Sequence, residues 1–217
     1  MTDKELFYDI EKHLLEDDVP SIYLRTLITE NIGVESRFYI LKELSKVLQD
    51  PHHHPEGDVL EHTLQVVDEA AKVRGKANNK KAFMWASLLH DLGKEKTTIM
   101  RKGRWTAYNH DRVGAEMARR LLREVSADKE FNERVCNLTR HHMSYLYITK
   151  RLPFGDIKSM VENTDINDVA LLTLCDRLGR GEISEKNKKK IIDSLNEFIK
   201  IVSAKTDKKY IPIELYR

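Results

Sequence analysis

The chain has 217 residues, with 37 Lys or Arg against 35 Asp or Glu and a formal net charge of +2. This length suits one large domain, or a domain with a helical extension, and the charge balance excludes binding to nucleic acid by bulk charge alone while leaving room for a local basic patch. Two widely spaced cysteines, Cys136 and Cys175, exclude a disulfide framework, and the absence of an apolar run near the roughly 18 residues of a membrane span leaves a cytoplasmic chain as the expectation.

Gly and Pro are sparse, at 9 and 5, and apolar residues recur at three- and four-residue intervals, so a nearly all-α fold is expected. A first helix is predicted over 3–16, without the apolar core of a signal peptide. A second starts at Pro20 and runs to about Asn31, Gly33 sits where a C-cap would fall, and Ser36 can cap a third helix to about Leu48. The loop "QDPHHHPEGD" follows, broken by Pro51 and Pro55. Further helices are predicted at 59–73, 79–92, 111–125, 129–143, 154–163, 167–178 and 185–203. Between Lys96 and Asn109 the pattern alternates and pivots about Lys102-Gly103, so a small β-hairpin is expected near 97–108. There is no internal repeat, and the runs "EKNKKK" and "KTDKKY" read as solvated helix and tail.

The chemistry concentrates at His90-Asp91, which closes the apolar helix "AFMWASLLHDLGK". A buried carboxylate beside a buried imidazole is costly unless both hold something, and a divalent cation is the simplest candidate. His62 lies on the preceding helix and Asp176 ends the apolar run "VALLTLCD", so two His and two Asp can converge on one ion with positions left for water and a phosphate oxygen. Asp91 can bridge to a second ion held by His110 and one of His141 and His142. Val135, Leu138 and His142 share a helix face, which favours His142 as ligand and leaves His141 to contact substrate or stand by. For His110 a plain position at a helix start stays open, with Asn109 or Asp111 as the cap. Mixed imidazole and carboxylate donors suit iron, manganese, cobalt or nickel better than a closed zinc site.

Around this set, Lys94 can serve catalysis by placing an ammonium near a phosphate, or can simply complement the helix dipole. Arg177 and Arg180 flank Asp176, where planar guanidinium groups suit phosphate oxygens. The "HHHPEGD" loop brings His52, His53, His54, Glu56 and Asp58 near His62, and His54 is the candidate there for the leaving group or a phosphate. Cys136 falls in an apolar helical pattern and reads as a buried structural thiol. No nucleophile elbow, Walker loop or dinucleotide fingerprint is present.

At His62, His90-Asp91 and Asp176 the chain resembles the HD-domain superfamily of metal-dependent phosphohydrolases. The segments "HHHPEGDVLEHTLQVVDEAA", "ASLLHDLGKEKTT", "YNHDRVGAEMARRLL" and "LLTLCDRLGRG" are similar to the HD domain that follows the catalytic head in bacterial CCA-adding tRNA nucleotidyltransferases, over roughly residues 37–182. The resemblance implies an all-α HD bundle, one or two divalent metals, and hydrolysis of a phosphate ester of a nucleotide or RNA end, of the 2′,3′-cyclic phosphodiesterase or nucleotidase type, by metal-activated water. The expected division is an N-terminal helical extension over 1–50 packed on the core, the HD phosphohydrolase domain over 51–205 and a tail over 206–217. No nucleotidyltransferase head or Gly-Ser and paired-Asp motif precedes the domain, so nucleotide addition to tRNA is not expected. Retention of His110 and His142 resembles the two-metal members. A dinucleoside polyphosphate or deoxynucleotide hydrolase, or a regulatory or RNA-binding module without turnover, are the alternatives; no DNA-binding motif is found.

Overall fold

The computed structural model describes residues 1–51, 54–206 and 208–214. His52 and His53 of the predicted loop lie outside the described residues, as do Asp207 and 215–217 of the tail. Helix α1 (Asp3–Glu16) opens on a capping box in which Thr2 and Glu5 satisfy each other's backbone N–H groups. Helix α2 (Pro20–Thr26) continues as a π turn to Asn31, and Ile32 closes it, so Gly33 adopts no left-handed C-cap. The third helix is shorter than predicted: α3 (Tyr39–Glu43) passes into a 3₁₀ turn over Leu44–Lys46. Ser36, two residues before the N-cap position Phe38, accepts the Phe38 N–H at 3.1 Å and donates its hydroxyl to Asp3 at 2.7 Å.

Helix α4 (Val59–Val73) is capped by Asp58 and α5 (Lys80–Leu89) by Asn79. Then come α6 (Lys94–Thr97), the antiparallel strands β1 (Thr98–Arg101) and β2 (Arg104–Ala107), α7 (His110–Val125) and α8 (Lys129–His141). The predicted hairpin is present, and Lys102 and Gly103 turn it with φ of 49° and 77°. A short helix that periodicity misses, α9 (Ser144–Thr149), precedes α10 (Ile157–Asn163), α11 (Ile166–Leu178) and α12 (Glu185–Thr206). Six residues lie beyond the reach of a 3.6-residue repeat, which is why α9 left no pattern. Among the described residues no helix is long and apolar enough to cross a membrane.

Two helices are buried nearly all round, as central helices of a layered bundle must be. Every residue of α5 from Ala82 to Leu89 is buried, and so is every residue of α11 from Asp168 to Asp176. Trp85 of α5 stacks on Phe7 of α1 at 4.7 Å and meets Phe131 of α8 edge-on, so the N-terminal helices share this core. Asp168 of α11 accepts hydrogen bonds from the Asn78 and Asn79 N–H groups, pinning the start of α5 to α11.

Glycine sets how closely the helices approach at two places that matter for the site. A Cβ on Gly93 would overlap the His110 carbonyl and lie 2.5 Å from the Gly114 nitrogen. A Cβ on Gly179 would lie 2.8 Å from the Val66 backbone nitrogen. The first contact brings the residues after His90-Asp91 against α7, and the second brings the end of α11 against α4. Gly93→Ala should therefore lower stability by about 2 kcal/mol, within the usual range for overpacking. Chemical denaturation would check this, and Gly75→Ala, where a Cβ meets nothing within 4 Å, should show no comparable loss.

Candidate metal centre

Helix α5 ends at Leu89, so His90 and Asp91 stand in the turn after it rather than within it. This turn, the first half of α4, the start of α7 and the end of α8 meet around one carboxylate. Asp91 Oδ2 lies 3.2 Å from His90 Nε2 and 3.6 Å from His62 Nε2. Its Oδ1 lies 3.4 Å from His110 Nε2 and 3.8 Å from His142 Nε2. All five residues are buried.

The tautomers follow from the backbone. His90 Nδ1 lies 2.9 Å from the Ser87 carbonyl, His110 Nδ1 2.7 Å from that of Ala107, and His142 Nδ1 2.7 Å from that of Thr139. A carbonyl oxygen only accepts, so each Nδ1 carries the proton and each neutral ring presents its Nε2 lone pair inward. His90 Nε2 is buried without a hydrogen-bond partner, and the Nε2 atoms of His110 and His142 face each other at 3.2 Å. Lone pairs crowded against an ionised carboxylate repel unless a cation lies among them. Metal-ligating histidines are oriented by this same Nδ1-to-carbonyl bond. The donor set fits a divalent ion.

His62 joins a second cluster. Its Nε2 is 3.1 Å from Asp176 Oδ1, and its Nδ1 lies between Glu56 Oε1 at 2.8 Å and the Gly179 carbonyl at 3.0 Å. The geometry yields overlapping ligand groups: His62, His90 and Asp91; and Asp91, His110 and His142. A third, His54, Glu56 and His62, lies beside them. Glu56 was legible only as a neighbour of His62 in a polar loop; its contacts with both His54 and His62 required the folded loop.

The remaining predicted residues divide. Lys94 Nζ lies 2.8 Å from Asp91 Oδ2 and donates to Gln49 Oε1 at 2.7 Å. Arg180 donates to both Asp176 oxygens, at 2.9 and 3.1 Å, so it grips the carboxylate of the cluster rather than standing free. Arg177 Nε is buried with no hydrogen-bond partner, and its guanidinium lies over the Tyr145 ring. His54 is half-buried and bonded to Glu56 at 2.8 Å. His141 is turned away: its Nδ1 meets Ser144 and its Nε2 faces Ser159, because it sits one residue, about 100°, around the helix from His142.

A cavity of about 760 Å³ opens over the cluster, lined by Asp91, His110, His142 and Asp176 together with His54, Lys94, Arg177 and Arg180. Trp105, Tyr145, Leu146 and Ile191 supply an apolar wall, and His141 is not part of the lining. Sequence periodicity gave no signal for Trp105 or Gln49, which reach the cavity only through the hairpin and the loop before α4.

Burial raises the Asp91 carboxyl, yet the Lys94 ammonium at 2.8 Å outweighs it and holds the group well below the usual range. For Asp176 burial is likewise overcome by Arg180 and His62. Burial, with His110 and His90 nearby, pushes His142 down to about 4, and burial with Arg140 does the same to His141. Burial also lowers His110. For His62 burial is outdone by its bonds to Asp176 and Glu56, which raise it. The Glu56 carboxyl falls to about 2, burial being overcome by its bonds to His54 and His62.

A family model for the HD domain matches residues 59–181, more than half of the chain. The chain belongs to the HD-domain family. The match runs from the first residue of α4 to the glycines after α11, and so includes His62, His90, Asp91, His110, His142 and Asp176, while His54 and Glu56 lie just before it. Among curated proteins, this HD-domain chain is 30% identical over 146 residues to the multifunctional CCA protein of Actinobacillus pleuropneumoniae serotype 5b, covering 65% of the chain and 34% of that protein. It is 33% identical over 129 residues to the multifunctional CCA protein of Aromatoleum aromaticum, covering 58% and 30%. The chain thus spans about a third of the length of these relatives.

His141 and His142, both depressed to about 4, give the metal-stripped protein a defined acid sensitivity. Their unfolded values lie near 6.5, so between about pH 6.5 and 4 the unfolded chain binds more protons than the native one. Stability should be full above this window and fall as the pH drops through it. Denaturant midpoints from pH 7 to 4 measure the slope, and His141→Gln should flatten it.

Proposed function

We propose that the chain is a metal-dependent phosphohydrolase acting on a phosphate ester of a nucleotide or RNA end, of the 2′,3′-cyclic phosphodiesterase or nucleotidase type. The observation that carries this reading is the set of inward-facing Nε2 lone pairs around Asp91, with His90 Nε2 unpartnered. His62, His90, Asp91 and Asp176 would hold one ion, and Asp91 with His110 and His142 a second. When bound, a divalent ion of the iron, manganese, cobalt or nickel kind supplies Lewis-acid charge for phosphoryl oxygens and a water of lowered pKa.

The protein's own groups do the rest. Lys94 spends two of its three N–H donors on Asp91 and Gln49, which leaves one for a phosphoryl oxygen. Arg177 offers a guanidinium whose Nε has no partner of its own. Arg180 keeps Asp176 ionised and oriented, and Glu56 with the Gly179 carbonyl fixes the His62 ring. His54 stands at the cavity wall for the leaving group. A cavity of about 760 Å³ has room for a nucleoside as well as its phosphate, and its apolar wall suits a base. Similarity to multifunctional CCA proteins supports a substrate linked to RNA ends. Within this reading, 1–50 remains a helical extension and 51–205 the phosphohydrolase domain.

The test is phosphate release by protein reloaded separately with manganese, iron, cobalt or nickel. Substrates are 2′,3′-cyclic AMP, 2′-AMP, 3′-AMP, 5′-dAMP and diadenosine tetraphosphate, with an added phosphatase to reveal phosphodiester products. Turnover of the cyclic and 2′ substrates is expected, and Asp91→Ala should abolish it together with metal content. Turnover confined to the last two would move the substrate to the nucleotide pool, and silence from folded, metal-loaded protein would overturn the reading. Lys94→Met should lower turnover about 100-fold while metal content holds, a magnitude typical for one lost electrostatic contact. Loss of metal in that variant would instead make Lys94 a support for Asp91.

A further inference from the structure

The hairpin between α6 and α7 joins the two halves of the cluster, with Lys94 before it and His110 just after it. In its register Met100 pairs with Trp105 and Arg101 with Arg104. Thr98, Trp105, Thr106 and Ala107 line the cavity, while the tip, Arg101-Lys102-Gly103-Arg104, is exposed and outside it. The tip is built against its own stability. Like charges directly opposite each other on paired strands are destabilising, and Arg101 and Arg104 are such a pair. Lys102 takes a φ of 49°, a left-handed position where Asn, Asp or Gly is the favoured residue. Among the described residues no carboxylate forms an ion pair with any of the three cations. The Arg101 guanidinium instead lies over the ring of Tyr108, which is 63% exposed.

Three unpaired cations and an exposed aromatic ring, continuous with a cavity that holds Lys94 and Arg177, match a single-stranded polyanion carrying stackable bases. From Ala107 at the cavity wall to Arg104 at the tip is about 10 Å along the strand, beyond the span of one nucleotide's phosphate and sugar. We propose that the hairpin tip is the binding surface for the strand upstream of the reacting end, so that the preferred substrate is the 3′ end of a single-stranded oligoribonucleotide rather than a free mononucleotide. Arg101, Lys102 and Arg104 neutralise backbone phosphates, and Tyr108 stacks on a base. This rests on the phosphate-ester reading of the cavity.

The experiment compares the protein with a variant carrying Arg101→Ala, Lys102→Ala and Arg104→Ala. One arm measures fluorescence anisotropy of a labelled oligoadenylate ending in a 3′-hydroxyl, which offers no terminal phosphate to hydrolyse, over a range of salt. The protein should bind it more tightly than AMP. The variant should bind about tenfold more weakly, with the slope of log affinity against log salt reduced by about 2, as three lost phosphate contacts on a single strand require. The second arm takes the ratio of kcat/KM for an oligomer ending in a 2′,3′-cyclic phosphate to that for 2′,3′-cyclic AMP, which should fall in parallel. Because neutralising the tip relieves a like-charge pair, the variant's Tm should be unchanged or higher, which separates lost contacts from lost fold. Equal binding of oligomer and AMP by the protein, or an unchanged slope in the variant, would overturn the proposal. If no substrate is hydrolysed at all, the function reading fails and the binding arm still decides this one. Arg104→Gln alone should lower the slope by about 0.7 and serves as the milder check.

Discussion

Asp91 is an ionised carboxylate sealed among imidazoles, and the structure around it is arranged to make that arrangement tolerable. Lys94 at 2.8 Å supplies a counter-charge, but the Nε2 atoms of His90, His110 and His142 bring lone pairs, not protons, to the same two oxygens. Buried polar groups of this kind persist when something satisfies them together. Lys94 reaches only one carboxylate oxygen, and the three rings cannot satisfy the other, since each has committed its one proton to a backbone carbonyl. The cluster is therefore complementary to a cation rather than to itself.

That commitment ties the site to the secondary structure. The carbonyls of Ser87, Ala107 and Thr139 lie three residues before His90, His110 and His142. The Ser87 and Thr139 carbonyls lie in the last turns of α5 and α8, where the helix ladder leaves carbonyls free, and that of Ala107 ends β2 just before His110. His62, in the first turn of α4, is oriented instead by Glu56 and by the Gly179 carbonyl at the α11 terminus. The close glycine contact of Gly179 with Val66 is what lets that carbonyl arrive. Helix packing and ligand orientation are in this sense one constraint.

The hairpin occupies the opposite pole of the design. It packs lightly, exposes Ile99 and Met100, and carries charges that repel one another. The core rests on helices buried on every side, α5 and α11, and the hairpin contributes little to it. The hairpin lies in the chain directly between Lys94 and His110, two residues of the buried cluster.

Much of the helical frame was legible because its signals are local. Pro20 marks a helix start in the sequence, and in the structure Thr2, Asp58, Asn79 and Asp165 cap theirs by chemistry that acts within three residues. The alternation about Lys102-Gly103 marks the hairpin in the same way. The ligand candidates were legible as polar residues where apolar ones belong: His90-Asp91 after α5 and Asp176 within α11. Elements too short for a periodic pattern were not, so α9 was missed and α3 overextended. Nor could spacing along the chain reveal Glu56 against His62, Gln49 on Lys94, Trp105 at the cavity wall or His141 turned toward Ser159, since each depends on how loops and helices fold against one another. The sequence by itself determined the helices and which polar side chains must be buried, because propensity, capping and burial patterns are local. Tertiary packing alone decided which of those side chains share one cavity, with which protonated nitrogen and at what distance, because those are relations between helix ends that only close packing brings together.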